Sequence, residues 1–297
     1  MAGLIDSLQF VFAPQIINGL SIGVAVILMA LGLTIIFGLL DVINMAHGEF
    51  YALGAYLGLS LTGAGVNFWL LLLLVPLIMV PLGYVVERFL IQRVFHYKDR
   101  HILTLLLTFG LAIVLEDVYK LIYGAQAIKP EAPISGATEV MGIFLPNYRM
   151  FLMAIGTAII VAVWLVVYRT SLGAMVRAAA YDKNMSSSLG VPVAYVYAGT
   201  FAFGVALAGL SGVLLAPIYS VFPTMGKDFI LLAFSVVIVG GLGSIKGAVL
   251  AGLVLTQIQA ISSLYISPSW TDPLVFAIMV AVLMVRPQGL FGRLGHA

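Results

Sequence analysis

Cysteine is absent from this chain of 297 residues, which removes disulfides, thiolate nucleophiles and cysteine-ligated metal sites. Charge is scarce too. Only 9% of the residues are Asp, Glu, Lys or Arg, where soluble domains carry about 25%. That shortage excludes a soluble globule, and a formal net charge of +2 is too small to serve nucleic acid. His47, His96, His101 and His296 are scattered without metal-ligand spacing. The stretch TMGKDF (224–229) pairs Gly with Lys, but Asp228 follows where a nucleotide loop needs Ser or Thr, and no upstream Gly precedes it. Any ATP and Mg used with this chain would therefore be bound by another subunit, and no cofactor is expected here. MAGLIDSLQF, the opening, has no Lys or Arg before the first apolar run, so it does not read as a cleavable signal peptide.

Hydrophobic residues are abundant: 62% of the chain, with a mean hydropathy of +1.15. Several apolar runs reach the roughly 20 residues that a membrane-crossing helix needs, and the alternation of a membrane β-barrel is missing. The expected fold is an all-α, polytopic transmembrane bundle forming one domain over 1–297. Spans are expected near 15–40, 49–64, 68–90, 102–123, 149–168, 196–217, 229–245, 247–266 and 273–286, eight or nine in all. The second, seventh and last are short enough to be broken or re-entrant. With the N-terminus outside and the C-terminus cytoplasmic, ten Lys and Arg face inward and Lys120, Lys129, Arg149 and Lys227 outward, as the positive-inside rule requires. Two loops stand out: 124–148 outside, rich in Pro and Gly, and 169–195 inside.

DVINMAHGEF (41–50) interrupts this greasy pattern with Asp41, Asn44, His47 and Glu49. A carboxylate at mid-bilayer costs about 2.5–3.5 kcal/mol, so a break between helices, facing protein or water, is the cheaper arrangement. Gly48 is expected to permit that break. The plainer reading is a short cytoplasmic turn whose acids sit in water. Small residues recur at helix-packing spacing as Gly19 with Gly23, Gly54 with Gly58, and Gly243 with Gly247. EDVYK places Glu116 and Lys120 four apart, which an interfacial ion pair explains.

The inner segment GAMVRAAAYDKNM is rich in helix formers and polar enough to lie outside the membrane; Gly190 and Pro192 then stop it. A short amphipathic helix between two spans is suited to a partner's groove, or to lying on the lipid surface.

NGLSIGVAVILMALGLTIIFGLLDVINMAHGEFYALGAY (18–56) resembles the opening of permeases of the branched-chain amino acid type of ABC transporter. The match is carried by Ala30, Leu31, Gly32, Thr34, Ile43, Asn44, Ala46, His47 and Gly48. The inner segment is similar to that family's ATPase-coupling loop at Arg177, Ala178, Ala180, Asp182, Leu189 and Gly190, although SSS at 186–188 is less apolar than the family pattern. VIVGGLGSIKGAVLAG (237–252) resembles its late glycine motif, with Lys246 where Pro is frequent, and VRPQGLFG (285–292) its C-terminal signature. The resemblance implies the first of two related permease subunits in the bacterial cytoplasmic membrane. It works with a second permease, two cytoplasmic ATPases and an extracytoplasmic solute-binding protein. Leu, Ile and Val are the implied cargo, with urea, amides and aromatic acids in relatives. Asn44 and His47 are then expected to hold helix ends together or line the translocation pathway, with Glu49 tied to them or wet.

An autonomous secondary transporter or channel is the competing function. It would need ion-coupling carboxylates within its spans, and most carboxylates here sit near ends or loops. An intramembrane enzyme lacks a nucleophile–base constellation.

Overall fold

The computed structural model describes residues 12–140 and 142–292, so the reading of MAGLIDSLQF lies outside the described residues. Nine helices carry the apolar runs: α1 (Ala13–Leu40), α2 (His47–Gly63), α3 (Phe68–Val94), α4 (Arg100–Tyr123), α5 (Asn147–Arg169), α8 (Val193–Tyr219), α9 (Met225–Gly240), α10 (Ile245–Ser262) and α11 (Pro268–Val285). Two short helices, α6 (Ser171–Tyr181) and α7 (Lys183–Ser188), join α5 to α8. Six helices, α1, α3, α4, α5, α8 and α10, are long and apolar enough to cross a membrane, and α2, α9 and the apolar part of α11 (Ser269–Val285) are shorter. These are the three runs read as short in the sequence. The chain is a polytopic helical membrane protein.

Helices α1 and α8 are buried nearly all round, whereas α3, α4 and α5 bury only a stripe. Composition explains the difference. The α8 sequence AGTFAFGVALAGLSGVLLAP alternates small and aliphatic residues, and small residues let helix backbones approach closely where lipid supplies no hydrophobic drive between helices. Gly32 and Gly204 meet at the α1–α8 crossing, and Ser211 Oγ donates to the Ala25 carbonyl at 2.7 Å.

A two-stranded antiparallel hairpin, β1 (Ala137–Val140) with β2 (Ile143–Pro146), stands before α5. Upstream, Ile128 and Val221 exchange two backbone hydrogen bonds of 2.8 and 2.7 Å, which pins the 124–148 loop over the α8–α9 connection.

The break after α9 departs from expectation. The run placed at 229–245 is helical over 225–240, and the break falls at Gly241–Ser244. Gly241 and Gly243 take φ of 102° and 77°, left-handed values that cost Gly little. Ser244 then caps α10, its side chain accepting from Gly247 N at 3.1 Å. Gly243 and Gly247 therefore do not share a helix face. Gly243 lies in the turn against Gly38, and Gly247 packs on Gly240.

Candidate translocation site

The interruption after α1 is an irregular stretch that alternates buried and exposed residues and ends in a turn at Met45–Ala46. Asp41 turns the chain with a left-handed φ of 51° and stays exposed. Val42, Asn44 and Ala46 are then buried while Asp41 and Ile43 are exposed, the period-two pattern of extended backbone. Asn44 Oδ1 accepts from Ala46 N at 3.0 Å, and the Asn44 carbonyl accepts from His47 N at 3.3 Å. Asn44 thus shapes the start of α2.

His47, fully buried, donates from Nε2 to the Met29 carbonyl at 3.1 Å. A carbonyl only accepts, so the proton is on Nε2. Met29 lies eleven residues before the end of α1, about 16 Å at 1.5 Å per residue. The α2 N-terminus is therefore recessed deep in the bundle. Met45 N donates to Thr108 Oγ1 of α4 at 3.1 Å, and Tyr119 OH of α4 to the Glu49 carbonyl at 2.8 Å.

Two expectations about this stretch are corrected. Gly48 does not make the break; it lies in the first turn of α2, where a Cβ would overlap the Gly226 carbonyl of α9 and sit 2.8 Å from Ile230 Cβ. Close approach of two helices is what requires Gly there. Glu49 is neither wet nor bonded to Asn44 or His47. It is 1% exposed, and its carboxylate lies against Gly226 in the first turn of α9. Its Oε2 makes no hydrogen bond within the described residues, and the same holds for Asn44 Nδ2, His47 Nδ1, Thr34 Oγ1, Tyr51 OH and Tyr56 OH. Buried polar groups are normally paired, so this concentration around the α2 start is unusual.

Sequence reading missed what lies beside Glu49. Glu116 and Lys120 do pair, at 2.8 Å, but Lys227 of α9 joins the same carboxylate. Sequence separation hid this contact, because TMGKDF drew notice only as a failed nucleotide loop. Glu87 was missed as well. It is fully buried in a π-helical turn of α3, Glu87–Ile91, with Gln92 Nε2 donating to its two oxygens at 3.1 and 3.3 Å. Its only signal was a carboxylate near the end of the apolar run expected at 68–90.

The other glycine pairs face neighbouring helices. Added Cβ atoms at Gly19 and Gly23 would meet Gln257 and Thr256 of α10, and those at Gly54 and Gly58 would meet Gly209 and Val213 of α8.

The segment expected to form one inner helix is two. Asp182 ends α6 and caps α7, its Oδ1 accepting from Asn184 N and Met185 N at 2.9 Å each. Arg177 Nη1 donates to the Val167 carbonyl at the end of α5, with the guanidinium over the Tyr168 ring. Ala178 and Ala180 are exposed, Leu189 is 76% exposed, and Gly190 turns the chain with φ of 85°. Leu172, Tyr181 and Met185 add exposed apolar surface.

The tail and the late glycine motif come together. Leu290 N and Phe291 N donate to the Val239 and Gly240 carbonyls at 2.8 and 3.0 Å, filling acceptors that a helix end leaves open. Among the described residues no cluster of His, Cys, Asp or Glu could hold a metal ion.

Comparison with known proteins agrees with this architecture. The sequence model of the family described as branched-chain amino acid transport system, permease component, matches residues 15–283. The high-affinity branched-chain amino acid transport system permease protein LivH of Salmonella typhimurium is 31% identical, covering 95% of this chain and 96% of its own. BraD, the corresponding protein of Pseudomonas aeruginosa, is 29% identical over the same shares. LivM of Salmonella typhimurium is 25% identical, covering 89% of this chain and 67% of its own. All three are named as permeases, not enzymes. The solved structure of PsaBC from Streptococcus pneumoniae in complex with Fab shares the fold, with a TM-score of 0.50, 16% identity, and coverage of 97% and 96%. The chain belongs to the family of permease components of branched-chain amino acid transport systems.

Proposed function

We propose that this chain is the first of two related permeases in an ATP-driven importer of branched-chain or other hydrophobic amino acids. The chain is one permease domain in the cytoplasmic membrane. Its N-terminus is outside, its C-terminus is inside, and α2, α9 and α11 complete nine spans or part-spans. One of the two ATPases docks inside on α6 and α7, and a solute-binding protein docks outside near the 124–148 loop and its hairpin. ATP and Mg stay with the ATPases. The second permease pairs with this one across the translocation pathway, which Asn44 and His47 help to build.

Family membership carries this reading, and the geometry supports its parts. Leu172, Tyr181 and Met185 on two short helices, and Leu189 just after them, are all more than half exposed, a surface that suits a partner groove better than water. The recessed α2 N-terminus gives the bundle an irregular stretch at depth, tolerated only where it is buried in protein or lines a cavity.

Reconstitution tests the proposal. This chain, the second permease, the ATPases and the binding protein encoded with it, placed together in proteoliposomes, should take up radiolabelled leucine only when ATP is supplied. Uptake without ATP or without the ATPases would point to a secondary transporter and sink the proposal.

A further inference from the structure

Glu116 and Glu49 both lie against the start of α9, with opposite shares of counter-charge. The Glu116 side chain, 5% exposed, holds two ammoniums: Lys120 Nζ at 2.8 Å and Lys227 Nζ. Glu49, 1% exposed, holds none, and its Oε2 is without a hydrogen bond in the described residues. Its carboxylate presses on Gly226, the residue before Lys227. Tyr56, stacked on Tyr119 at 4.9 Å between centroids, brings another buried hydroxyl with no hydrogen bond among the described residues.

The lysines show which way this cluster faces. Their side chains are 41% and 54% exposed, and Glu116 is seven residues before the end of α4, about 10 Å below it. Charged groups at such depth face a bundle interior or a watery cavity, not acyl chains. The side between α4 and the start of α9 thus faces a bundle interior or a watery cavity.

We infer that Glu49, Glu116 and Lys227 form the point where the pathway takes hold of the main-chain end of an amino acid, Glu49 receiving its ammonium and Lys227 its carboxylate. The inference rests on the importer reading above. The charges suit a zwitterion. When one arrives, Lys227 turns from Glu116 to the ligand carboxylate, Glu116 keeps Lys120, and Glu49 gains the cation it lacks. Each of these charges then has a partner, Lys120 being shared between Glu116 and Asp117. The start of α9 lies beside the same spot, and a helix N-terminus favours an anion. Such a site grips what all amino acids share and leaves the side chain unread.

The test is equilibrium binding to the purified permease–ATPase complex, without solute-binding protein, using leucine, isoamylamine (no carboxylate) and 4-methylpentanoate (no ammonium). The parent complex should bind leucine at least tenfold more tightly than either analogue. In Lys227→Gln, loss of the ligand carboxylate should cost little, so isoamylamine and leucine draw level. In Glu49→Gln, 4-methylpentanoate and leucine should draw level instead. Lys227→Arg should restore most of the discrimination. A purely structural role would weaken all three ligands alike and leave their ratios unchanged, which would overturn the inference. So would a parent complex that binds no leucine or does not discriminate, and this comparison needs no variant to fold. If that parent still drives ATP-dependent leucine uptake when reconstituted, only this inference falls; if it takes up no amino acid, the importer reading falls first.

Discussion

Substituting Gly48 separates a glycine that packing requires from one that is merely tolerated. In Gly48→Ala the new methyl would overlap the Gly226 carbonyl and stand 2.8 Å from Ile230 Cβ. Both obstacles belong to α9 backbone or to a β-branched side chain, neither of which swings aside. Overpacking of this kind costs about 1–3 kcal/mol, and backbone contact puts the change toward the upper end. Against it stands the gain in helix propensity, about 0.5–1 kcal/mol for Gly→Ala inside a helix. The net is a loss of roughly 1–2 kcal/mol. Gly110, on α4, is the control, because nothing lies within 4 Å of its added Cβ. Gly110→Ala should gain the propensity term alone and stabilise by about 0.5–1 kcal/mol. Unfolding in detergent, followed by intrinsic tryptophan fluorescence, measures both. The expected order of stability is Gly110→Ala above parent above Gly48→Ala, with uptake falling in the last as α2 and α9 are forced apart. A Gly48→Ala protein as stable as Gly110→Ala, and transporting normally, would refute the claim that close approach dictates Gly at 48.

The remaining predictions use the same geometry. Because the chain has no cysteine, cysteines placed at exposed Ser135 and Thr138 should react with an impermeant thiol reagent from outside, and those at Lys98 and Lys183 only once the inner face is opened; the reverse pattern would invert the proposed topology. His47→Ala removes a buried hydrogen bond to Met29, worth about 1 kcal/mol, and should impair uptake while the protein stays in the membrane; so should Asn44→Ala, and normal uptake in both would reduce 41–46 to a simple connector. Ala178→Trp and Leu189→Asp should reduce ATPase co-purification by severalfold, whereas Arg177→Glu should destabilise the α5–α6 corner even without ATPase, because Arg177 is bonded to the Val167 carbonyl; unchanged ATPase recovery in the first two would remove α6 and α7 from the docking role. Truncation after Gln288 should leave the Val239 and Gly240 carbonyls unpaired and lower the melting midpoint, at about 0.5–1.5 kcal/mol per lost bond; an unshifted midpoint would mean the tail caps nothing of consequence.

Nine helical runs were legible from composition and length alone, because a bilayer demands long apolar helices and writes that demand into consecutive residues. The three short runs and the stop at Gly190 were legible for similarly local reasons. So was the anomaly of Asp41, Asn44, His47 and Glu49, since polar groups amid apolar runs need a structural answer. Local sequence could not say which answer applied. Both Asp41 and Gly48 fit a break, and only the contact with α9 shows that Gly48 is small for packing while Asp41 turns the chain. The charge cluster needed the fold even more: Glu49, Glu116 and Lys227 come from three helices far apart in the chain, and no periodicity encodes a meeting between them. The bond from Arg177 to the Val167 carbonyl was hidden as well, because a backbone acceptor carries no sequence signature. Sequence determined which segments enter the membrane, through hydrophobicity that each segment holds by itself. Tertiary structure decided which polar groups meet inside it, because pairing depends on how the helices are brought together.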